Sequence, residues 1–410
     1  MYKEKDLSID FLGIHLDSPF ILSASPSTDE LEIAYNGLKA GWAGVILKTT
    51  SIEGNPVPLK YPMMSSFATD HRITGLGNID LISQYHINEI VKRVKALKEA
   101  FPDKMIAASI MGSKKEDWQT LVWRLKKAGV DLIECSFSCP QGSMGEAPGR
   151  MLAQSIEATE KVTGWVKEAA GDTPVLIKIT PQVTDIVEVA KAVKNGGADG
   201  ITASNTIPSL LGVDIKTFEP YPTLFGKGTY SGLSGPAIKP ITLRTIAEIA
   251  KNVDITISGN GGAFNWRDAV EFMSVGASNV QFCTLPMHYG FRTIRDLKSG
   301  LAHYLMDMGF DSPMDIVGKA LPNIKMQEEL PSPETKADIN KDKCIGCGLC
   351  YAACNDGGHQ AIDWDSEKRL PNVNEDKCVG CAMCMQVCPV NAIRMKEKLN
   401  SDMHYFAKKE

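Results

Sequence analysis

The sequence predicts a (β/α)8 barrel, also called a TIM barrel, followed by a small ferredoxin-like α+β domain. Eight short apolar runs precede residue 290, and most of them are followed by a stretch with helical periodicity. Two cysteine runs with the same internal spacing then occur between Cys344 and Cys388. The number and spacing of the β-then-α units match a barrel, and the clustered cysteines indicate a separate metal-binding domain.

Each apolar run is nearly continuous, which is typical of parallel strands that are covered on both faces. An open doubly wound sheet is the alternative, but no G-x-G-x-x-G follows an early run, which argues against a nucleotide-binding sheet. The predicted strands are FILSAS near Ile21, GVILKT near Ile46, MIAASIMG near Ala107, DLIECSF near Glu134, VLIKIT near Ile177, GITASN near Thr202, ITISGN near Ile257 and NVQFCT near Phe282.

The domain boundaries follow from a change in pattern near Leu321. The barrel is predicted to occupy residues 1–320, and the polar, proline-containing stretch 321–340 is predicted to be a linker that runs over the surface. The ferredoxin-like domain is predicted at 341–396, and residues 397–410 are expected to form a C-terminal tail.

Composition excludes two classes of partner. The 410 residues carry a net charge of −5 and no Lys/Arg-rich stripe, which argues against a nucleic-acid partner. No apolar run approaches the roughly 18–20 residues that a bilayer requires, and the N-terminus lacks the apolar core of a signal peptide. A cytoplasmic location is therefore expected. Because cytosolic thiols stay reduced, the eleven cysteines point to metal binding or catalysis and not to disulfides.

The cysteine block has the spacing of two-cluster ferredoxins. Each run reads C-x2-C-x2-C-x3-C, and in that pattern the fourth cysteine of each run ligates the other cluster. One [4Fe–4S] cluster is assigned to Cys344, Cys347, Cys350 and Cys388, and the other to Cys378, Cys381, Cys384 and Cys354. A pair of structural zinc sites is the alternative, but four zinc ligands do not account for the third cysteine of each run. Asn355 follows Cys354 where a proline is common.

The barrel should contain a centre that couples one-electron to two-electron chemistry, and flavin is the usual group. The seventh predicted strand ends in Asn260, Gly261 and Gly262, and the eighth ends in Cys283 and Thr284. Barrel phosphate sites form after strands 7 and 8, so a phosphate-bearing ligand such as FMN fits there. The alternative is that these glycines only make tight turns.

Polar residues at other strand ends point to the same rim of the barrel. Lys48 and Lys178 lie inside apolar runs, where an ammonium group needs an anionic partner, such as the N1–C2=O edge of reduced flavin. The alternative is a lysine that extends to solvent at the rim. Further polar residues at strand ends are Thr49, Ser136, Ser138, Cys139, Asn205 and Thr206.

Several motifs together resemble the pyrimidine-reducing half of the dihydropyrimidine dehydrogenase family. The chain is similar to its bacterial NAD-dependent form, in which a barrel and a two-cluster domain stand alone as the catalytic subunit. Dihydroorotate dehydrogenases share the barrel but lack such a C-terminal module. The motifs are LKTTS at Lys48, NIDLIS at Asn78, ASIMGS at Ser109, FSCP at Cys139, IKITPQVTDI at Lys178, SNT at Asn205 and SGLSG at Ser231.

The resemblance implies FMN in the barrel and hydride transfer to an activated C=C bond, with Cys139 as the general acid. Cys135 is interpreted as an inert buried thiol. The implied FMN contacts are Ala24, Ser25, Lys48, Thr49, Lys178, Gly235, Asn260, Gly261, Gly262, Cys283 and Thr284. The implied substrate contacts are Asn78, Asp80, Ser136, Ser138, Asn205 and Thr206.

Two of these residues depart from the family pattern, because Ser136 stands where asparagine is expected and Asp80 where glutamate is expected. Serine offers one hydroxyl where asparagine offers a donor and an acceptor. Uracil or thymine is the expected substrate; another nitrogen heterocycle or a dihydroorotate-like acid is the alternative.

No fingerprint for NAD(P) or FAD occurs in the sequence. The resemblance therefore implies a second subunit, an FAD and iron–sulfur flavoprotein that oxidises NAD(P)H, in a hetero-oligomer. An electron-transfer subunit whose barrel has lost catalysis is the remaining alternative.

Overall fold

The structure is a computed structural model that describes residues 5–52, 57, 59–69, 72–138, 151–397 and 404–406. The chain divides into two compact units, Met1–Ile324 and Lys325–Glu410. In the described residues, no helix is both long enough and apolar enough to cross a membrane.

The first unit is built on a closed parallel barrel. Its strands are β1 (Ile9–Phe11), β2 (Ile14–Leu16), β3 (Phe20–Leu22), β4 (Gly44–Thr50), β5 (Met64–Thr69), β6 (Arg72–Asn78), β7 (Met105–Ile110), β8 (Leu132–Ser136), β9 (Val175–Lys178), β10 (Gly200–Ala203), β11 (Ile207–Ser209), β12 (Ser231–Ser234), β13 (Thr256–Asn260) and β14 (Asn279–Phe282). The barrel closes in the order β10-β13-β14-β3-β4-β7-β8-β9. All eight predicted strands are present, so the predicted TIM barrel is confirmed.

Helices cover the outside of the barrel because each has an apolar face. In one of them Ile87, Ile90, Val94 and Leu97 recur at helical spacing and are all buried. The helices of this unit are α1 (Leu31–Ala40), α2 (Ile87–Ala100), α3 (Lys115–Ala128), α4 (Ile156–Ala170), α5 (Ile186–Asn195), α6 (Lys239–Asn252), α7 (Trp266–Ser274), α8 (Thr284–Tyr289) and α9 (Ile294–Met308).

The hairpin of β1 and β2 closes the amino-terminal end of the barrel. Its side chains Ile9, Phe11 and Leu16 pack with inward-facing residues of the barrel strands, including Ile46 and Leu132. Burial of each such side chain stabilises the fold by about 1.5–3 kcal/mol. Because this end is filled with apolar side chains, a ligand site must lie at the carboxyl end of the strands.

An antiparallel sheet of four strands, in the order β11-β12-β6-β5, is inserted at that carboxyl end. Strands β5 and β6 lie between β4 and α2, and strands β11 and β12 lie between β10 and α6. Pairing of Gly232 with Asn78 joins the two insertions. The sequence analysis did not predict this sheet, because β11 and β12 are short and the strands contain several glycine and serine residues in place of a continuous apolar run.

The second unit contains β15 (Thr335–Ile339), β16 (Ile362–Asp365), β17 (Leu370–Val373), β18 (Ile393–Glu397), β19 (His404–Phe406), α10 (Leu349–Asn355) and α11 (Met383–Gln386). Strand β18 pairs with both β15 and β19. Within the predicted linker 321–340, Thr335–Ile339 form β15 with Lys336 and Ala337 buried, and His404–Phe406 of the expected tail form β19. The polar composition was misleading because Lys336 is buried, with its ammonium group donating to the carbonyl of Cys378.

Candidate functional site

The barrel closure brings the predicted FMN and substrate residues to one rim. Those that the structure describes lie at the carboxyl ends of barrel strands, in the loops that follow them, or on the inserted sheet. They are Ala24, Ser25, Lys48, Thr49, Asn78, Asp80, Ser136, Ser138, Lys178, Asn205, Thr206, Gly235, Asn260, Gly261, Gly262, Cys283 and Thr284. Cys139 lies outside the described residues.

Lys48 is held by carboxylates near the end of β4. Its ammonium group lies 3.0 Å from Oδ1 of Asp80 and 2.8 Å from Oδ2, and it lies 3.7 Å from Asp29. The three side chains are largely buried. Asp80, predicted as a substrate contact, thus pairs with a predicted FMN contact.

Asp29 connects this pair to a second buried cation. Ser83 donates a hydrogen bond of 2.5 Å to Asp29 Oδ1. The guanidinium of buried Arg93 donates to the backbone carbonyl of Asp29 and lies 3.1 Å from Glu30. This chain of charges fixes the position of Lys48 from the side of α2. The sequence analysis missed Asp29, Ser83 and Arg93, which lie in loops or on helices and follow no motif.

The pKa of the Asp80 carboxyl is raised above its ordinary value of 3.8, chiefly because burial disfavours the ionised form. The charge and hydrogen bond of Lys48 oppose this shift, and the negative charge of Asp29 adds to it. The pair therefore contains a carboxylate that is costly to bury even with its cation beside it.

Lys178 ends β9 and is also buried. Its ammonium group donates a hydrogen bond of 3.3 Å to Ser23 and lies 3.8 Å from Oε1 of Glu134 on β8. An ammonium group has three donors, and Ser23 is its one hydrogen-bond partner among the described residues. The remaining N–H groups fit an anionic ligand edge, as reduced flavin would provide.

The predicted substrate residues converge in part. Asn205 Nδ2 donates a hydrogen bond of 2.7 Å to Ser138 Oγ, which joins the ends of β10 and β8. Asn78 Nδ2 donates a hydrogen bond of 3.0 Å to the carbonyl of Gly232, beside Thr206. In the described residues, the amide oxygen of each of these asparagines accepts no hydrogen bond, so it can accept one from a ligand.

The glycine-rich end of β13 has a backbone that only glycine fits without strain. Gly261 and Gly262 have φ values of 121° and 95°. A Cβ atom on Gly262 would lie 2.6 Å from the backbone nitrogen of Lys239, and one on Gly261 would lie 2.7 Å from Thr242 Oγ1. These glycines are therefore needed for close packing near the predicted phosphate site, whether or not they contact a phosphate.

Cys283 follows the end of β14, and Thr284 is the first residue of α8. Thr284 donates to Ser234 at 3.0 Å. Burial raises the pKa of the Cys283 thiol, whereas the charge of Lys178 and a hydrogen bond with Ser25 oppose the shift. Three predicted FMN contacts, Ser25, Lys178 and Cys283, thus lie close enough to interact. Cys135, by contrast, is fully buried in the apolar core, which raises the pKa of its thiol well above 9.0.

The eight cysteines of the second unit line two small cavities. Cys344, Cys347, Cys350 and Cys388 line the first, and Cys354, Cys378, Cys381 and Cys384 line the second. The structure therefore brings the cysteines together in the two sets assigned from their spacing. In the described part of the chain, no three ligand-type side chains meet at a point suited to a single metal ion.

The local backbone explains how these sets form. Gly346 and Gly380, at equivalent places in the two runs, both have positive φ. Backbone N–H groups of Ala337, Ala361 and Ala392 donate to the sulfurs of Cys378, Cys354 and Cys388 at 3.2–3.5 Å. Asn355 ends α10, which shows how a residue other than proline is accommodated after Cys354. Such N–H donors stabilise cluster thiolates.

Two buried residues of the barrel interior were also missed as part of the site. Glu134 and Gln281 lie on β8 and β14, inside runs that the sequence analysis used only as strands. A carboxylate in the middle of DLIECSF was a usable signal, because such a group requires a buried partner.

Comparison with known proteins gives two family matches. Residues 6–305 match the family model described as dihydroorotate dehydrogenase. Residues 337–395 match the model described as 4Fe-4S dicluster domain.

Three curated relatives are similar over most of this chain. NAD-dependent dihydropyrimidine dehydrogenase subunit PreA of Escherichia coli is 43% identical over 398 residues, covering 96% of each chain. Chloroplastic dihydropyrimidine dehydrogenase (NADP(+)) of Arabidopsis thaliana is 31% identical over 82% of this chain and 81% of its own. The catalytic subunit of dihydroorotate dehydrogenase B (NAD(+)) of Pyrococcus horikoshii is 33% identical over 77% of this chain and 98% of its own.

We expect the Asp80→Asn variant to gain stability relative to the unmodified protein as the pH rises. The raised pKa means that the folded state binds the Asp80 proton more tightly than the unfolded state does. The contribution of Asp80 to stability therefore falls as the pH rises from 3.8 through that raised pKa, and the variant lacks this contribution. Thermal unfolding followed by circular dichroism from about pH 4 to about pH 8 checks this.

The matched control is Asp103→Asn, which removes an exposed carboxylate and should give a pH profile parallel to that of the unmodified protein. If the stability of Asp80→Asn instead fell relative to that of the unmodified protein as the pH rose, the attraction between Asp80 and Lys48 would outweigh the cost of burial.

Proposed function

The chain belongs to the dihydropyrimidine dehydrogenase family of oxidoreductases, and we propose that it reduces the C5=C6 double bond of uracil or thymine to the 5,6-dihydropyrimidine. The observation that carries the proposal is the combination within one chain of a polar barrel rim, with two buried lysines, and two cavities lined by four cysteines each. The rim suits a flavin and an anionic transition state, and the cavities suit one-electron carriers.

FMN is the proposed barrel cofactor; when bound, it supplies the hydride for one carbon of the double bond. The residues that would hold it are those named from the resemblance. Lys48 and Lys178 would bind its polar edges through N–H groups, and the Asn260–Gly262 backbone would approach its phosphate. This assignment is supported by the spare donors of Lys178 and by the proximity of Ser25, Lys178 and Cys283.

Cys139 is the proposed general acid, which protonates the carbon next to the one that receives the hydride. It follows Ser138, whose hydroxyl accepts a hydrogen bond from Asn205 at the barrel rim. A thiol suits the step because it is a modest acid that solvent can reprotonate.

The substrate contacts proposed are Asn78, Asp80, Ser136, Ser138, Asn205 and Thr206. The amide oxygens of Asn78 and Asn205 can accept from ring N–H groups, because their Nδ2 groups already donate within the protein. Asp80 also positions Lys48, since both its carboxylate oxygens lie within 3.0 Å of that ammonium group.

A different ring is the second candidate substrate, and Ser136 is the observation that favours it. Its hydroxyl is shorter than the asparagine amide expected there, which leaves room for a larger or differently substituted heterocycle, or for a dihydroorotate-like acid. Loss of one hydrogen bond to a buried polar group costs about 1–3 kcal/mol. An electron-transfer role without catalysis is less well supported, because the polar rim residues serve no purpose in it.

Two [4Fe–4S] clusters are proposed to carry electrons from a partner flavoprotein subunit that contains FAD and iron–sulfur clusters and oxidises NAD(P)H. Exposed apolar side chains flank both cysteine cavities. Ile345 and Val379, which follow the first cysteine of each run, are 63% and 59% exposed. Such apolar surface beside a redox group is suited to transient docking of an electron donor.

Removing one cysteine should eliminate the iron–sulfur cluster that is assigned to the cavity which that cysteine lines. Cys344→Ala and Cys388→Ala should each lower the iron content from about eight to about four atoms per chain. The double variant Cys344→Ala/Cys388→Ala should lose no more iron, because both residues serve the same cluster. Cys381→Ala/Cys388→Ala should lose nearly all of it. Iron and sulfide analysis of anaerobically purified protein checks this.

The control for cluster content is Cys135→Ala, which should retain the full amount. Equal iron content in the two double variants would show that the assigned ligand sets are wrong.

The isolated chain should reduce a pyrimidine with dithionite-reduced viologen as donor but not with NADH, because no site for NADH is proposed in it. Substrate-dependent viologen oxidation with uracil, thymine, orotate and a purine measures both activity and specificity. Turnover driven by NADH alone would contradict the need for a partner. Activity with another ring but not with uracil or thymine would favour the second candidate.

Cys139→Ala should lower the rate of substrate reduction by about 10²–10⁴-fold, the range typical of a general acid. Flavin content and iron content should stay unchanged, because the residue is not proposed to bind either group. Cys283→Ala is the matched thiol control and should affect flavin binding more than proton transfer. An unchanged rate in Cys139→Ala would exclude it as the acid.

A further inference from the structure

A polar cluster lies in the barrel interior next to Lys178. Its members Glu134, Thr202, Ser258 and Gln281 come from four different strands and are fully buried or nearly so. The layer of side chains toward the amino-terminal end is apolar. Burying a carboxylate costs free energy unless the group is paired or hydrogen-bonded. The contacts of Glu134 therefore show how it is accommodated.

The other members of the polar cluster contact only one carboxylate oxygen of Glu134. Thr202 Oγ1 donates to Oε2 at 2.9 Å, and Gln281 Nε2 approaches the same oxygen at 3.3 Å. Gln281 also contacts Ser258 Oγ at 2.9 Å, which fixes its amide group. The orientation of the Glu134 carboxylate is therefore set by its neighbours on β10 and β14.

The other oxygen, Oε1, has no hydrogen-bond partner among the described residues and lies 3.8 Å from Lys178 Nζ. Glu134 is completely buried, and in the described chain it is the one acidic side chain within 4.0 Å of that ammonium group. Oε1 of Glu134 is therefore left without a hydrogen bond in the described residues and faces the Lys178 ammonium group.

We propose that Glu134 is a positioning residue that sets the electrostatic potential at the flavin through Lys178. This inference rests on the proposed binding of FMN at Lys178. The ammonium group favours the negative charge that reduction brings to the flavin edge, and the fixed carboxylate beside it reduces that effect. Glu134 thereby keeps the flavin potential lower than Lys178 alone would make it.

The test is the midpoint potential of the bound flavin in Glu134→Gln, measured by redox titration of the flavin-loaded holoenzyme. Glutamine is isosteric and keeps one acceptor oxygen for Thr202 and Gln281, while the replaced Oε1 makes no hydrogen bond to lose. We expect the ratio of reduced to oxidised flavin at a fixed potential to rise roughly tenfold, which is about 30 mV for a two-electron couple.

Two further variants separate charge from structure. Lys178→Gln should shift the potential in the opposite direction. Glu134→Gln/Lys178→Gln should return close to the unmodified value, because the pair has no net charge. If Glu134 were only structural, the double variant would behave like Lys178→Gln. This comparison remains decisive if Glu134→Gln alone is poorly folded, since the double variant buries no unpaired charge.

Thr202→Val is the matched control, because it removes a hydrogen bond to Glu134 but retains the carboxylate. The midpoint potential of the bound flavin should shift much less in Thr202→Val than in Glu134→Gln. The midpoint potentials of the iron–sulfur clusters can be followed by electron paramagnetic resonance in the same samples. They should be unchanged, because none of the proposed iron–sulfur ligands is substituted.

An unchanged or lowered flavin potential in Glu134→Gln, with flavin bound, would overturn this inference and leave the proposed function intact. Purified protein that binds no flavin under any condition would overturn the proposed function itself. A shift in Thr202→Val as large as that in Glu134→Gln would also overturn the inference, because geometry and not charge would then control the potential.

Discussion

Closure of eight parallel strands into one barrel is the constraint on which the candidate site depends. In a closed parallel barrel every strand ends at the same rim, so residues far apart in sequence become neighbours. Asn205 and Ser138 form a hydrogen bond of 2.7 Å for this reason alone. The hairpin of β1 and β2 fills the opposite end with apolar side chains, which leaves the carboxyl rim as the place for chemistry.

The rim is organised by two buried cations and their carboxylates. Lys48 lies between Asp80 and Asp29, and Lys178 lies between Ser23 and Glu134. Burying these charges is costly, and breaking one pair leaves the other member uncompensated. Both lysines are therefore held in fixed positions before any ligand binds, which is the condition for electrostatic stabilisation without reorganisation. The two pairs differ, because Asp80 contacts Lys48 directly whereas Glu134 remains 3.8 Å from Lys178.

The second unit follows a simpler principle. Its cysteine sets arise from local backbone geometry, with a positive φ at Gly346 and Gly380 and a short helix within each run. The fourth cysteine of each run crosses to the other cavity because the two runs fold as related halves. A periodic spacing of this kind can be read from the sequence, since each ligand's position depends on only a few neighbouring residues.

The sequence alone determined the barrel, its eight strands and the grouping of the cysteines, because continuous apolar runs and fixed cysteine spacing are local patterns. It also identified Lys48 and Lys178, since a lysine inside an apolar strand is visible without a structure. Only the tertiary structure decided which acid each lysine meets, the sheet inserted at the rim, and the strand Thr335–Ile339. Asp29, Arg93 and Glu134 became part of the site through contacts between residues 64 to 147 positions apart, and no local pattern carries that information. The physical reason is that ion pairs and sheet edges are formed by chain segments that meet only after folding.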